Sequence, residues 1–170
     1  RAARLPVDWV EAETSVAHPY EDGSVVTLER SVAATAAQLG SDERAYRALV
    51  TPLVEHWDLV EPVLLGPHPP PPRAVSRLLR AVGRRYVRVV LADARAVAMS
   101  TFETERARAL LAGNAAHSMM PLERRPTAGF GLAVIVLGHV FGWGFPRGGA
   151  QRLADGLVAR ARELGAELHA

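Results

Sequence analysis

The chain has 170 residues, of which 49% are hydrophobic and 22% are charged, a composition typical of one folded globular domain and not of a disordered chain. Its formal net charge of +2 does not favour nucleic-acid binding, which requires a clustered basic face. There is no cysteine, so disulfides, thiolate catalysis, iron–sulfur clusters and cysteine-ligated zinc are excluded, and any redox chemistry must come from a bound cofactor.

The first predicted elements are a β-hairpin and two helices. Segments 16–20 and 24–28 flank Asp22-Gly23, a strong turn signal. Ser31 is a suitable N-cap for a helix over 32–39, which Gly40 would end. A second helix is predicted over 42–57, with Ser41 as its cap and Pro52 as the site of a kink or a division.

A proline-rich segment at 66–72 interrupts the helical pattern. Consecutive prolines favour an extended conformation, and a stiff linker between helices is preferred to a docking motif for a partner. Helices are then predicted over 74–82, 87–100 and 103–111, the last ending at Gly113-Asn114. Arg84-Arg85 and Arg124-Arg125 are interpreted as isolated pairs on solvated helix faces.

Residues 127–143 are uncharged when histidine is neutral, and the segment approaches the ~20 residues of a membrane helix. Four glycines and His139 within it favour a buried central helix instead. Gly129-Phe130-Gly131 begins like a dinucleotide-binding motif, but Val134 stands in place of the third glycine and no strand is predicted before it. A nucleotide site is therefore rejected for this segment.

The last predicted helix covers 150–164, and Gly165 would end it before a strand-like tail at 165–168. Gly148-Gly149 precedes this helix. Two residues without side chains would let the backbone lie against a flat ring, towards which the positive end of the helix would point. A helix-start turn that needs unusual dihedral angles explains the doublet equally well.

Two histidines are candidates for polar contacts in a pocket. His117 lies in a turn of small residues, and His139 lies in the most apolar segment. The favoured interpretation is that both are core residues bound to backbone carbonyls, and the alternative is that both line a pocket. Ser118 follows His117 but lacks the Gly-x-Ser-x-Gly context of a hydrolase nucleophile.

Several short motifs occur in a fixed order along nearly the whole chain. They are His18-Pro19, Asp22-Gly23, 112–118, 127–131, Gly138-His139, Gly142-Trp143 and 146–151. This ordered series resembles the phytoene-desaturase-like FAD-dependent oxidoreductases, and particularly their NAD(P)/FAD-dependent branch.

The resemblance implies an α+β, mainly helical fold: the substrate-covering region of a two-domain FAD oxidoreductase, with a small antiparallel sheet. Residues 1–145 would form the substrate-binding region, and 146–170 would return to an FAD-binding domain. The glycine-rich motif of that domain is not in this sequence, so we expect an internal part of a larger bacterial enzyme. We expect this part alone to bind FAD weakly or not at all.

The implied reaction is removal of hydride from an apolar, isoprenoid-like substrate onto FAD. Phe130, Leu137, Phe141 and Trp143 would wall the substrate pocket. His117 and His139 would be the catalytic candidates, through polar contacts or proton handling, and Arg147, Gly148 and Gly149 would approach the flavin. No residue is assigned to a metal.

A different class of function stays open, namely a non-catalytic module that binds an apolar ligand or associates with a membrane. The uncharged segment 127–143 and the proline-rich linker motivate this alternative. The expected partners are the FAD-binding domain of the parent enzyme, an apolar small molecule, a peripheral membrane contact and a second copy of the chain, with no nucleic acid. The expected location is the cytoplasm.

Overall fold

The structure is a computed structural model that describes residues 5, 7–12 and 14–167. It is mainly helical, with 61% helix, 7% strand and small antiparallel sheets, which confirms the predicted α+β, mainly helical class. The chain divides into two compact units. The larger is Thr14–Gly142, and the smaller combines Arg1–Glu13 with Trp143–Ala170. The functional division at 145/146 stays a prediction.

Short strands precede a long run of helices, and one further strand comes before the last helix. The strands are β1 (Trp9–Val10), β2 (Val16–Pro19), β3 (Val25–Leu28) and β4 (Phe145–Pro146). The helices are α1 (Val32–Ala36), α2 (Glu43–Glu55), α3 (Trp57–Leu64), α4 (Pro72–Val82), α5 (Arg85–Leu91), α6 (Ala94–Thr101), α7 (Glu105–Ala116), α8 (Thr127–Phe141) and α9 (Gln151–Glu163), with a 3-10 helix at Ala37–Asp42.

The predicted hairpin is confirmed in the larger unit. β2 pairs with β3 in antiparallel register, with Val16 opposite Leu28. Gly23 has φ +80°, a conformation that favours glycine, and it completes the turn. The predicted cap of α1 is also confirmed, because the Ser31 side chain accepts a hydrogen bond from the amide of Ala34.

The predicted Ser41 cap of α2 is wrong. Asp42 occupies the N-cap position, and its buried carboxylate reaches the loop before α7, where it accepts hydrogen bonds from the amides of Glu103 and Thr104 and from the Thr104 hydroxyl. Burial raises the pKa of Asp42, but these donors outweigh burial and leave it below its usual value. The carboxylate therefore ties two distant segments together.

Pro52 lies inside α2, and the helix divides later, at His56, where α3 follows. Because proline has no amide hydrogen, the carbonyl of Ala48 lacks its usual partner within the helix. The Arg85 guanidinium donates to that carbonyl at 2.7 Å, and the Tyr86 hydroxyl lies 3.3 Å from it. Pro52 thus leaves the Ala48 carbonyl free to accept the hydrogen bonds that hold α5 against α2.

The proline-rich segment links α3 to α4, as predicted, and α4 begins with Pro72 at its first position. The single helix predicted over 87–100 is wrong. The chain forms α5 and α6 there, because the Asp93 side chain accepts a hydrogen bond from the amide of Ala96 and caps a new helix.

The predicted end of α7 at Gly113-Asn114 is also wrong, since the helix continues to Ala116. A Cβ atom at Gly113 would overlap the imidazole of His18, so this glycine makes room for the hairpin against the helix. Asn114 is buried and donates to the carbonyl of Leu110 within the same helix. Both residues therefore have packing roles inside the helix.

α8 is a central helix that packs against α7, α5, α2 and α6, which confirms the predicted buried helix. A Cβ atom at Gly131 would come within 3.0 Å of the Ala115 backbone on α7, and one at Gly129 would overlap the Val90 carbonyl on α5. These glycines therefore serve helix packing. Within the described residues, every helix falls short of the length and apolarity that crossing a bilayer requires.

The smaller unit contains the other sheet and α9. β1 pairs antiparallel with β4, with Trp9 opposite Pro146, and the Arg147 side chain donates to the Asp8 carboxylate at 2.6 Å. α9 matches the predicted helix over 150–164. Of the predicted strand-like tail, 165–167 form no strand, and Leu168 lies outside the described residues.

Candidate functional site

Three of the four predicted pocket residues share one face of α8. Phe130, Leu137 and Phe141 are seven and four residues apart, so they project to the same side of the helix. Phe130 is 45% exposed and Phe141 is 50% exposed, although most other positions of α8 are buried. We call these three residues the open α8 face. It spans about 16 Å along the helix axis.

Apolar side chains continue this face at both ends. The Trp57 ring meets the Phe141 ring edge to face, with centroids 5.3 Å apart. At the other end α5 packs against α8 and leaves Val87, Val90 and Leu91 exposed. Trp143, the fourth predicted pocket residue, is also exposed, but it belongs to the smaller unit.

His139 is held on both ring nitrogens. Its Nε2 lies 2.8 Å from the Tyr46 hydroxyl, and its Nδ1 lies 3.4 Å from the Arg30 carbonyl oxygen. Since that carbonyl can only accept, Nδ1 carries the proton and Nε2 accepts from Tyr46. Burial lowers the pKa of His139, although backbone contacts to Arg30 and Glu29 act in the opposite direction. This geometry favours the core-histidine interpretation for His139.

His117 lies apart from His139. It is exposed at the end of α7, where Ala115 contacts Gly131, and His139 follows Gly131 about 12 Å further along α8. The neighbour of His117 is instead His18 of the hairpin. Burial, and secondarily the charge of His117, lower the pKa of His18, whose Nε2 is buried without a hydrogen-bond partner among the described residues.

The glycine doublet has the backbone of a tight turn before α9. Gly148 has φ +86° and Gly149 has φ +93°, and the Gly149 amide donates to the Pro146 carbonyl. A Cβ atom at Gly149 would meet no other atom within 4 Å, so open space adjoins the backbone there. The turn by itself accounts for both glycines, and the approach of a flat ring stays a prediction.

A cleft of about 400 Å³ in the smaller unit adjoins this turn. Arg147 and Arg152, which flank the doublet in the chain, both line it, and Asp8 and Asp155 contribute opposite charge. The Arg147–Asp8 ion pair holds one of these arginines in a fixed position on the exposed surface. The doublet therefore borders a concave, mixed-charge surface.

A concavity of about 760 Å³ in the larger unit lies elsewhere, beside the hairpin and the start of α7. Its lining mixes apolar atoms with polar groups, among them Tyr20 and the ion pair of Asp22 with Arg106. None of the predicted pocket residues lines it. The charged side chains in its lining distinguish it from the uncharged open α8 face.

The interpretation of Arg84-Arg85 as an isolated pair is wrong, because other exposed arginines of α4 and α5 accompany it. Between Pro62 and Ala92 the sequence has no acidic residue and six arginines, all of them exposed on or between α4 and α5. We call them the arginine cluster, and they are Arg73, Arg77, Arg80, Arg84, Arg85 and Arg88. The charge count of this segment alone could have revealed it, but the whole-chain net charge concealed it.

Comparisons of the chain with protein-family models and with curated protein sequences give no match. The resemblance to FAD-dependent oxidoreductases therefore stays a prediction from the ordered motifs.

Proposed function

We propose that this chain is the substrate-binding part of an FAD-dependent oxidoreductase, a desaturase or dehydrogenase that removes hydride from an apolar, isoprenoid-like substrate. The open α8 face is the observation that carries the proposal. An otherwise buried, uncharged helix presents two phenylalanines at its surface, in a chain whose ordered motifs resemble that enzyme family.

The open α8 face suits an elongated hydrocarbon. Full burial of a phenylalanine side chain stabilises a complex by about 1.5–3 kcal/mol, so Phe130 and Phe141 together offer substantial binding energy when a ligand covers them. In this proposal Leu137 lines the middle of the face, and Trp143, which belongs to the smaller unit, stays a separate prediction.

When bound, FAD would supply the hydride acceptor. Gly148 and Gly149 would allow close approach of the backbone to the flavin, for which the open space at Gly149 leaves room, and Arg147 would provide a cationic contact. His117, which is exposed, is the better placed of the two histidines for proton handling, whereas His139 would position α8 through Tyr46 and Arg30. The proposal includes a cytoplasmic location with peripheral membrane contact.

The test uses the whole protein that the native gene encodes, and compares it with the 170-residue chain alone. We expect it to purify with the visible absorption bands of oxidised flavin, to release FAD when denatured, and to show bleaching when an isoprenoid polyene is added without oxygen. We expect the 170-residue chain alone to leave flavin fluorescence unchanged on titration with FAD. Purified native protein that lacks flavin and does not take up FAD would contradict the proposal.

The alternative of a non-catalytic module for apolar ligands rests on the same exposed phenylalanines. A fluorescent fatty acid analogue distinguishes the two. Tight binding by native protein that contains no flavin would favour the module, whereas binding only by the flavin-containing protein would favour the oxidoreductase.

A further inference from the structure

We propose that the arginine cluster of α4 and α5, together with the exposed apolar residues of α5, is a docking surface for an anionic lipid bilayer. This inference deepens the peripheral membrane contact named in the proposed function, and it shares the exposed α5 residues with the edge of the open α8 face. Because its test requires no cofactor, it can fail independently of the flavoenzyme proposal.

The arginines of α4 occupy a single face of the helix. Arg73, Arg77 and Arg80 are four and three residues apart, which places them on one side. The opposite side faces the core, where Val82 is buried and Leu78 packs against the other core residues. The basic side of α4 is therefore the side directed away from the protein.

No arginine of the cluster forms an ion pair within the part of the chain that the structure describes. Arg80 donates to the Ser76 hydroxyl, and Arg85 donates to the Ala48 carbonyl and lies over the Tyr86 ring. Since the whole chain is +2 and residues 62–92 are +6, the remaining residues carry −4. The net positive charge is thus confined to residues 62–92, where the arginine side chains are available to bind an external anion.

Exposed apolar side chains accompany these charges on α5. Val87, Val90 and Leu91 are three and four residues apart, and Arg88 lies among them. Basic and apolar residues on the exposed face of one helix are the pattern of helices that lie in the membrane interface. Single-stranded RNA would require exposed aromatic side chains for base stacking, and Tyr86, the aromatic residue of these helices, is buried.

The direct test is co-sedimentation of the 170-residue chain with vesicles. Each basic residue near an anionic surface strengthens binding by about fivefold at low ionic strength. We expect binding to vesicles that contain phosphatidylglycerol, little binding to pure phosphatidylcholine, and a strong decrease between about 0.05 M and 0.5 M salt. Equal binding to both vesicle types would overturn the proposal.

The test variant replaces Arg77, Arg80, Arg84 and Arg88 by glutamine, and leaves Arg85 in place because it holds α5 against α2. We expect binding to anionic vesicles to weaken by at least about 25-fold, the loss expected if only two of the four replaced arginines contribute about fivefold each. The matched control replaces four exposed arginines elsewhere, and thus has the same net charge. They are Arg44, Arg124, Arg125 and Arg162.

Equal losses in the test and control variants would overturn the proposal, because they would show that net charge alone controls binding. If circular dichroism shows that the fourfold variant is unfolded, the single substitutions R77Q and R88Q decide, with an expected loss of a few-fold each. Leu91→Ser should weaken binding even at high salt. A uridine oligonucleotide that binds more tightly than the vesicles, through the same arginines, would instead identify a nucleic-acid surface.

Discussion

Replacing Tyr46 by phenylalanine removes the hydroxyl that donates to Nε2 of His139 inside the larger unit. Tyr46 is 1% exposed and His139 is 4% exposed, so water cannot replace the lost partner. A buried acceptor without a partner costs about 1–3 kcal/mol. We expect the free energy of unfolding to fall by that amount and Tm to fall by about 2–4 °C for each kcal/mol, measured by urea and thermal denaturation.

The matched control is Tyr20→Phe, because the Tyr20 hydroxyl donates to the Arg106 carbonyl at an exposed position, where water can substitute. We expect this change to cost less than about 0.5 kcal/mol. In a double-mutant cycle with His139→Leu, the two core substitutions should be non-additive by about 0.5–3 kcal/mol. If Tyr46→Phe costs no more than Tyr20→Phe, the hydrogen bond does not hold α8 in place and the assignment of His139 to the core fails.

Gly131→Ala should destabilise the protein by about 1–3 kcal/mol in urea denaturation, because a methyl group would press on the Ala115 backbone; a gain in stability would show that α7 and α8 can separate freely. Burial lowers the pKa values of His139 and His18, so the unfolded chain binds their protons more tightly than the folded chain does. The free energy of unfolding should therefore be highest above pH about 6.5 and decrease as the pH falls below that value. A free energy of unfolding that does not change with pH in this range would contradict this. Asp42→Asn removes a buried charged acceptor and should cost about 2–3 kcal/mol by the same assay, whereas an unchanged midpoint would refute its tethering role.

Local signals in the sequence predicted much of the fold. The Asp22-Gly23 turn, the Ser31 cap and the uncharged segment of α8 each act within a few residues of their own position, and the structure confirms them. The predictions were wrong where a contact between residues far apart in the sequence determines the local structure. Asp42 was not predicted to reach the loop before α7, and Gly113 was taken as a helix end because its partner, the His18 ring, is remote in sequence.

The candidate site was predictable only where it depends on local spacing along the chain. The spacing of Phe130, Leu137 and Phe141 already places them on one helical face, but only the structure shows that this face is open while the rest of α8 is buried. For His139, sequence could not reveal Tyr46 as the partner of its ring, since that contact joins residues of two separate helices. The arginine cluster was visible in the sequence, but an average over the whole chain obscured it.

The most direct test of the proposed function is the rate of anaerobic flavin reduction by an isoprenoid polyene in native-reading-frame protein that carries Phe130→Ser and Phe141→Ser. We expect an unchanged flavin content and at least a tenfold lower second-order rate, corresponding to about 1.4 kcal/mol of lost binding to the open α8 face. The control, Met99→Ser, changes another exposed apolar residue and should retain the original rate. An unchanged rate in the double variant would show that the substrate does not contact α8.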